Sequence, residues 1–135
     1  MSNLLARADA DIQIAKFLLS PEGNPTNDEM ITDQAAYHIQ QGIEKALKYQ
    51  TEMLGLSYTK THNLTGLITR LEENGFSVED ELKGMAYEIT DWEASSRYKD
   101  DFFVVKSELK KAMDQYALLK KSILEYIEDS GGVDY

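Results

Sequence analysis

His38, Gln41 and Lys45 are separated by three and four residues, the spacing that puts side chains on one face of an α-helix. An ammonium, an imidazole and a carboxamide on one face gather hydrogen-bonding groups and a positive charge that could contribute to an anion site. Tyr37 and Gln40 add hydrogen-bonding groups beside them, and Glu44 and Lys48 can pair at four residues. The plainer reading of this set is a solvated face with His38 packed at its edge. A second group stands in the segment 95–103, SSRYKDDFF. Arg97 with Lys99 could grip a phosphate, and Tyr98 could stack on a base. Its plainer reading is a turn between helices in which Arg97 pairs with Glu93, Tyr98 caps the core, and Phe102 and Phe103 plug the bundle end.

Other chemistries find no support. His38 and His62 are the two histidines, neither lies in an HExxH motif, and no third ligand stands at helical spacing, so no metal site is expected. Without cysteine there is no thiolate nucleophile, thiolate zinc site or disulfide scaffold. Phosphate-binding glycine loops and a serine nucleophile elbow are also missing. The acidic clusters Glu72–Glu73, Glu79–Asp80–Glu81 and Asp100–Asp101 read as solvated helix ends, with Glu79 and Asp80 placed where a helix first turn favours negative charge.

The elements that must position these groups are all helical. Pro21 and Pro25 are the two prolines, and beyond Asp33 apolar residues recur at three- and four-residue steps. Leu5, Ala8, Ile12, Ala15 and Leu19 predict a first helix ended by SPEGNP, followed by an aperiodic connection from Ser20 to Asp33. Ala36, Ile39, Ile43, Ala46, Leu47 and Leu54 predict a long second helix that stops near Gly55. Leu64, Leu67, Ile68 and Leu71 predict a short third helix capped by Thr61 and ended by Gly75. Ser77 and Asp80 form a variant capping box for a fourth helix with Leu82, Met85, Ala86, Ile89 and Trp92 inward, ending near Arg97. The fifth carries the stripe Leu109, Ala112, Met113, Tyr116, Leu119, Ile123 and Ile127, and residues 129–135 form a flexible tail. No period-two alternation competes with these helices. The expectation is an all-α, antiparallel up-and-down bundle of four long helices plus one short helix, as a single domain over residues 1–135.

The balance of 24 acidic and 14 basic residues gives 135 residues a net charge of −10. That charge opposes broad attraction to nucleic acid or to anionic membrane. No apolar run approaches the ~20 residues that span a bilayer, and the start MSNLLARADAD has no apolar signal core. A cytoplasmic location is the expectation.

The run Ala35–Lys48 (AAYHIQQGIEKALK) resembles the signature helix of HEPN domains, the higher eukaryotes and prokaryotes nucleotide-binding family. Thr61-His62-Asn63-Leu64 is similar to the family's Thr-His-Asn/Asp-Leu element, and Ser96-Arg97-Tyr98 to its Ala-Arg-Tyr-like element before the last helix. The three occur in family order between about Leu4 and Ile127. The resemblance implies a bundle of four or five helices, commonly a symmetric dimer with a polar groove near its axis. Members are often encoded beside a small nucleotidyltransferase, as toxin–antitoxin pairs or as its substrate-binding half. Many others are metal-independent ribonucleases, in which an arginine is followed after four to six residues by a histidine. After Arg97 those positions hold Phe102, Phe103 and Val104, and neither Arg7 nor Arg70 has a histidine at that distance. Without that imidazole the ribose hydroxyl lacks its usual proton acceptor.

The expectation is therefore a non-catalytic, cofactor-free homodimer. His38, Gln41, Lys45, Arg97 and Tyr98 would line a groove for a nucleotide or a nucleotide-bearing partner, such as a nucleotidyltransferase. The alternatives are a regulatory dimer without ligand, and an unconventional ribonuclease that uses His38 or His62 across the dimer interface.

Overall fold

The structure is a computed structural model that describes residues 2–58, 63–93 and 104–130. It is all-helical over those residues: α1 Leu4–Leu18, α2 Glu29–Met53, α3 Leu64–Glu73, α4 Asp80–Thr90 and α5 Lys106–Asp129. No helix among the described residues is long and apolar enough to cross a membrane.

The second helix begins earlier than its apolar stripe suggests. Asp28 caps it, accepting from the Met30 amide at 2.8 Å, while the Asn24 side chain donates to Asp28 O and accepts from Asp28 N. The connection thus shortens to residues 19–28, and the first turn of α2 absorbs the remainder. At its other end Gly55 takes φ 74°, with Leu56 N donating to Thr51 O and Gly55 N to Glu52 O. Gly75 (φ 90°) ends α3 through the same paired bonds, Phe76 N to Leu71 O and Gly75 N to Glu72 O. Both glycine stops stand where the sequence places them.

Two starts differ in detail. Asn63 caps α3 by accepting from Gly66 N; Thr61 and His62 lie outside the described residues. Helix α4 starts after Glu79 with no side-chain cap, and Glu72 instead accepts from Val78 N at 3.2 Å. Helix α4 ends at Thr90, short of the end near Arg97 that its stripe suggests: Asp91 N and Trp92 N turn back to Glu88 O and Ile89 O, so residues 91–93 form a turn and α4, with 11 residues, is about as short as α3 with 10. The Thr90 hydroxyl accepts from Leu64 N and fastens the start of α3 to this helix end.

Helix α2 is the central element and packs on α1, α3 and α5. Its Ile39, Ile43 and Leu47 are fully buried together with Leu64, Leu71, Leu82, Trp92, Leu109 and Ile123 from the other elements. Helices α2 and α5 begin at the same end of the bundle: the Lys106 ammonium bonds the Asn27 side chain, and Asp33 accepts from the Val104 amide. Helix α1, joined to α2 by the compact turn, runs antiparallel to both, as an up-and-down bundle requires.

Candidate functional site

The site grows from one acidic residue on the apolar face of α1. Ala8, Asp11, Ile12 and Ala15 recur at three and four residues and are all buried against α2. This packing is close because α2 has a glycine opposite: a Cβ at Gly42 would stand 2.8 Å from Ile12 Cδ1 and 3.2 Å from the Ala8 carbonyl oxygen. With the backbones this near, Asp11 reaches two α2 side chains one turn either side of Gly42.

Asp11 Oδ1 lies 2.9 Å from His38 Nδ1, and Oδ2 lies 2.5 Å from Lys45 Nζ. The Asp11 side chain is only 10% exposed, whereas His38 and Lys45 are 24% and 27% exposed. A carboxylate only accepts, so Nδ1 of His38 carries the hydrogen and Nε2 is left as an acceptor in the neutral ring. No described residue bonds Nε2. Lys45 spends one ammonium hydrogen on Asp11 and keeps two more. The Tyr37 ring stands edge-on to His38 at 5.2 Å.

Gln41 lies between these two residues along α2 and is half-buried, but its amide turns to Gln40, donating to Oε1 at 2.7 Å. Gln40 in turn donates to Glu44 at 2.8 Å, and Glu44 receives Lys48 at 2.9 Å. Gln40 and Glu44 are buried, so a polar chain runs along the helix beside the Asp11 cluster. Each buried group in it has a partner, the condition for such a chain to be stable in a core.

The structure thus brings His38 and Lys45 together on Asp11 and sets Gln41 beside them in a neighbouring bond chain. Arg97 and Tyr98 lie outside the described residues, as do Phe102 and Phe103. Sequence spacing missed Asp11. A signal was there: an aspartate on the stripe Ala8, Ile12, Ala15 must find a cation or donors on the facing helix. No group of three or more ligand-type side chains that could hold a metal occurs among the described residues.

Asp9, two residues earlier on α1, makes a parallel tie to α5. It accepts from the Tyr116 hydroxyl at 2.5 Å and from Lys120 at 2.7 Å. Burial, then the bond to Asp9 and the charges of Asp9 and Asp11, push the Tyr116 hydroxyl well above the ordinary phenol range, so it stays a donor. One helix therefore fastens α2 with Asp11 and α5 with Asp9.

Residues 1–126 match the family model described as the HEPN domain, and the chain belongs to that family. No curated protein and no solved structure matches it.

Proposed function

We propose that this HEPN domain is a non-catalytic cytoplasmic module that binds a nucleotide or a nucleotide-bearing partner at the edge of α2, and that it works as a homodimer. Asp11 carries the reading. By holding both His38 and Lys45 it keeps an acceptor nitrogen and two ammonium hydrogens oriented at a partly open surface. Those groups suit a phosphate beside a hydroxyl or an exocyclic amine. Lys45 in turn offsets the Asp11 charge, so this edge is locally near neutral in a chain of net charge −10 and does not repel an anion as the rest of the surface does. Arg97 and Tyr98 are assigned to the same groove, as a bidentate phosphate grip and a stacking surface. Companionship with a small nucleotidyltransferase, or membership of a toxin–antitoxin pair, belongs to the same reading.

The test is thermal denaturation with a panel of nucleoside mono-, di- and triphosphates. A ligand at a hundred times its dissociation constant stabilises the fold by about 2.7 kcal/mol. Lys45→Ala and Arg97→Ala should each abolish the gain. A melting temperature unmoved by the whole panel overturns nucleotide binding. A second reading has one observation in its favour, since Asp11 orients His38 as an acceptor base would need. RNA cleavage that co-purifies with the protein and disappears in His38→Ala would establish that ribonuclease reading and refute the non-catalytic one.

A further inference from the structure

Asp11 ties α1 to α2, Asp9 ties α1 to α5, and Lys83 with Glu72 ties α4 to α3. Between α4 and α5 no hydrogen bond or ion pair occurs among the described residues. One polar side chain nonetheless faces this seam from inside. Gln115 stands on α5 at three- and four-residue steps from Ala112, Leu119 and Ser122, and is only 7% exposed. Its Oε1 is closed to bulk solvent and has no hydrogen-bond partner. A buried carbonyl oxygen left so forfeits its hydration without return, and folded chains seldom contain one.

Gln115 lines a cavity of about 10 Å³ at this seam, together with Val78, Leu82 and Leu119 and with Ser77, Glu79 and Ser122. That is about the room of one water and too little for an organic ligand. The inner wall is buried, Ser122 is half-buried, and Ser77 and Glu79 form an exposed lip. The lip is also the start of α4. Ser77 and Asp80 have the spacing of a capping box, yet α4 begins after Glu79 with no side-chain bond to its first amides. The hydroxyls of Ser77 and Ser122 make no bond among the described residues either. Two hydroxyls and one buried carbonyl therefore surround a space the size of a single small molecule.

We propose that this cavity is a binding site for one structural water, which fastens the start of α4 to Gln115 of α5. The water donates one hydrogen to Gln115 Oε1 and the other to one serine oxygen, and it accepts from the second serine hydroxyl. Three such bonds are typical of a buried water. A cation does not suit the site, because Val78, Leu82 and Leu119 occupy too much of the wall for oxygens to surround it. The water also accounts for a carboxamide among core positions where a leucine or methionine would pack. None of these residues belongs to the His38–Lys45 edge on α2, so the site stands apart from the nucleotide reading.

The experiment compares the full chain with Gln115→Met, which keeps the side chain's length and removes its acceptor. Oxygen-17 relaxation dispersion of the solvent counts waters held longer than the protein tumbles, and its amplitude should fall by the equivalent of one water in the variant. An unchanged amplitude overturns the proposal. Melting temperature gives an independent reading. A carbonyl already satisfied by water gains nothing from replacement, so Gln115→Met should melt no higher than the native chain. A rise of ~4 °C or more would show that the oxygen had been buried dry, and would also overturn the proposal. In the native chain alone, the methyl groups of Leu82 and Leu119 should cross-relax with water, and their silence refutes the site whatever the variant does. Melting should be the same in sodium, potassium and choline chloride at equal ionic strength; a dependence on the cation would assign the cavity to an ion instead.

Discussion

Replacing Asp11 by alanine removes two charge-assisted bonds at once, to His38 and to Lys45. A hydrogen bond to a charged group contributes about 1.5–3 kcal/mol, and stripping one member from a fully buried pair costs about 3–5. Here the acid is buried but its partners are about a quarter exposed, so both can turn part-way to water after the substitution. The loss should therefore be about 2–3 kcal/mol, below the fully buried limit. At this chain length that corresponds to a fall of roughly 8–12 °C in melting temperature. Urea denaturation measures the free energy directly, and an unchanged slope would show that the folded and unfolded states keep their extents. The control is Lys110→Ala, which breaks only the exposed 3.8 Å pair with Asp114 and should change stability by less than about 0.5 kcal/mol. If Asp11→Ala is as mild as that control, the α1–α2 cluster is a surface pairing and Asp11 does not position His38 or Lys45.

The glycines of the helices should respond in opposite directions. Gly42→Ala must displace Ile12 and crowd the Ala8 carbonyl, and overpacking of this kind costs about 1–3 kcal/mol against a propensity gain of about 1, so chemical denaturation should show a net loss. Gly84→Ala meets open space on α4 and should stabilise by up to about 1 kcal/mol in the same assay. Alkaline stability should depend on Tyr116: its folded pKa is raised above the ordinary 10.0, so the unfolded chain loses that proton first and stability falls as the pH climbs past about 10. Tyr116→Phe should flatten this alkaline slope, at the cost of the Asp9 bond at every pH; an unchanged slope would mean that the hydroxyl is not held protonated.

The helical content was legible because most helices carry one apolar stripe and end on recognisable residues. Gly55 and Gly75 stop α2 and α3 where a left-handed residue is needed, and the stripe Leu109, Ala112, Tyr116, Leu119, Ile123 faces the core as its spacing requires. The start of α2 was not legible from that periodicity, since Glu29, Met30 and Gln34 are exposed and contribute nothing to a stripe. Its marker is chemical: Asp28 directly before Glu29, a cap followed by an acid in the first turn.

Periodicity also understated how deeply α2 is buried. Its apolar residues mark one stripe, yet Gln40, Glu44, Gln50 and Thr51 are buried too, because α1, α3 and α5 all pack on it. A polar residue facing a neighbouring helix looks the same in sequence as one facing water. What separates them is which helix packs over them, and that is a property of two segments; Gln40 and Thr51 bond groups of α2 itself, and the buried Gln50 amide finds no partner among the described residues. His38 and Lys45 illustrate it: their shared face on α2 was readable, and its direction was set by Asp11, 27 and 34 residues away along the chain. The same aspartate that secures α1 to α2 thus decides which atoms of His38 and Lys45 remain for a ligand. Asp11→Asn separates these two roles. The amide retains an acceptor for one partner but cannot offset the Lys45 charge, so stability should fall less than in the alanine variant while nucleotide affinity rises. Binding that weakens in step with stability would show that Asp11 serves the ligand only by holding the fold together.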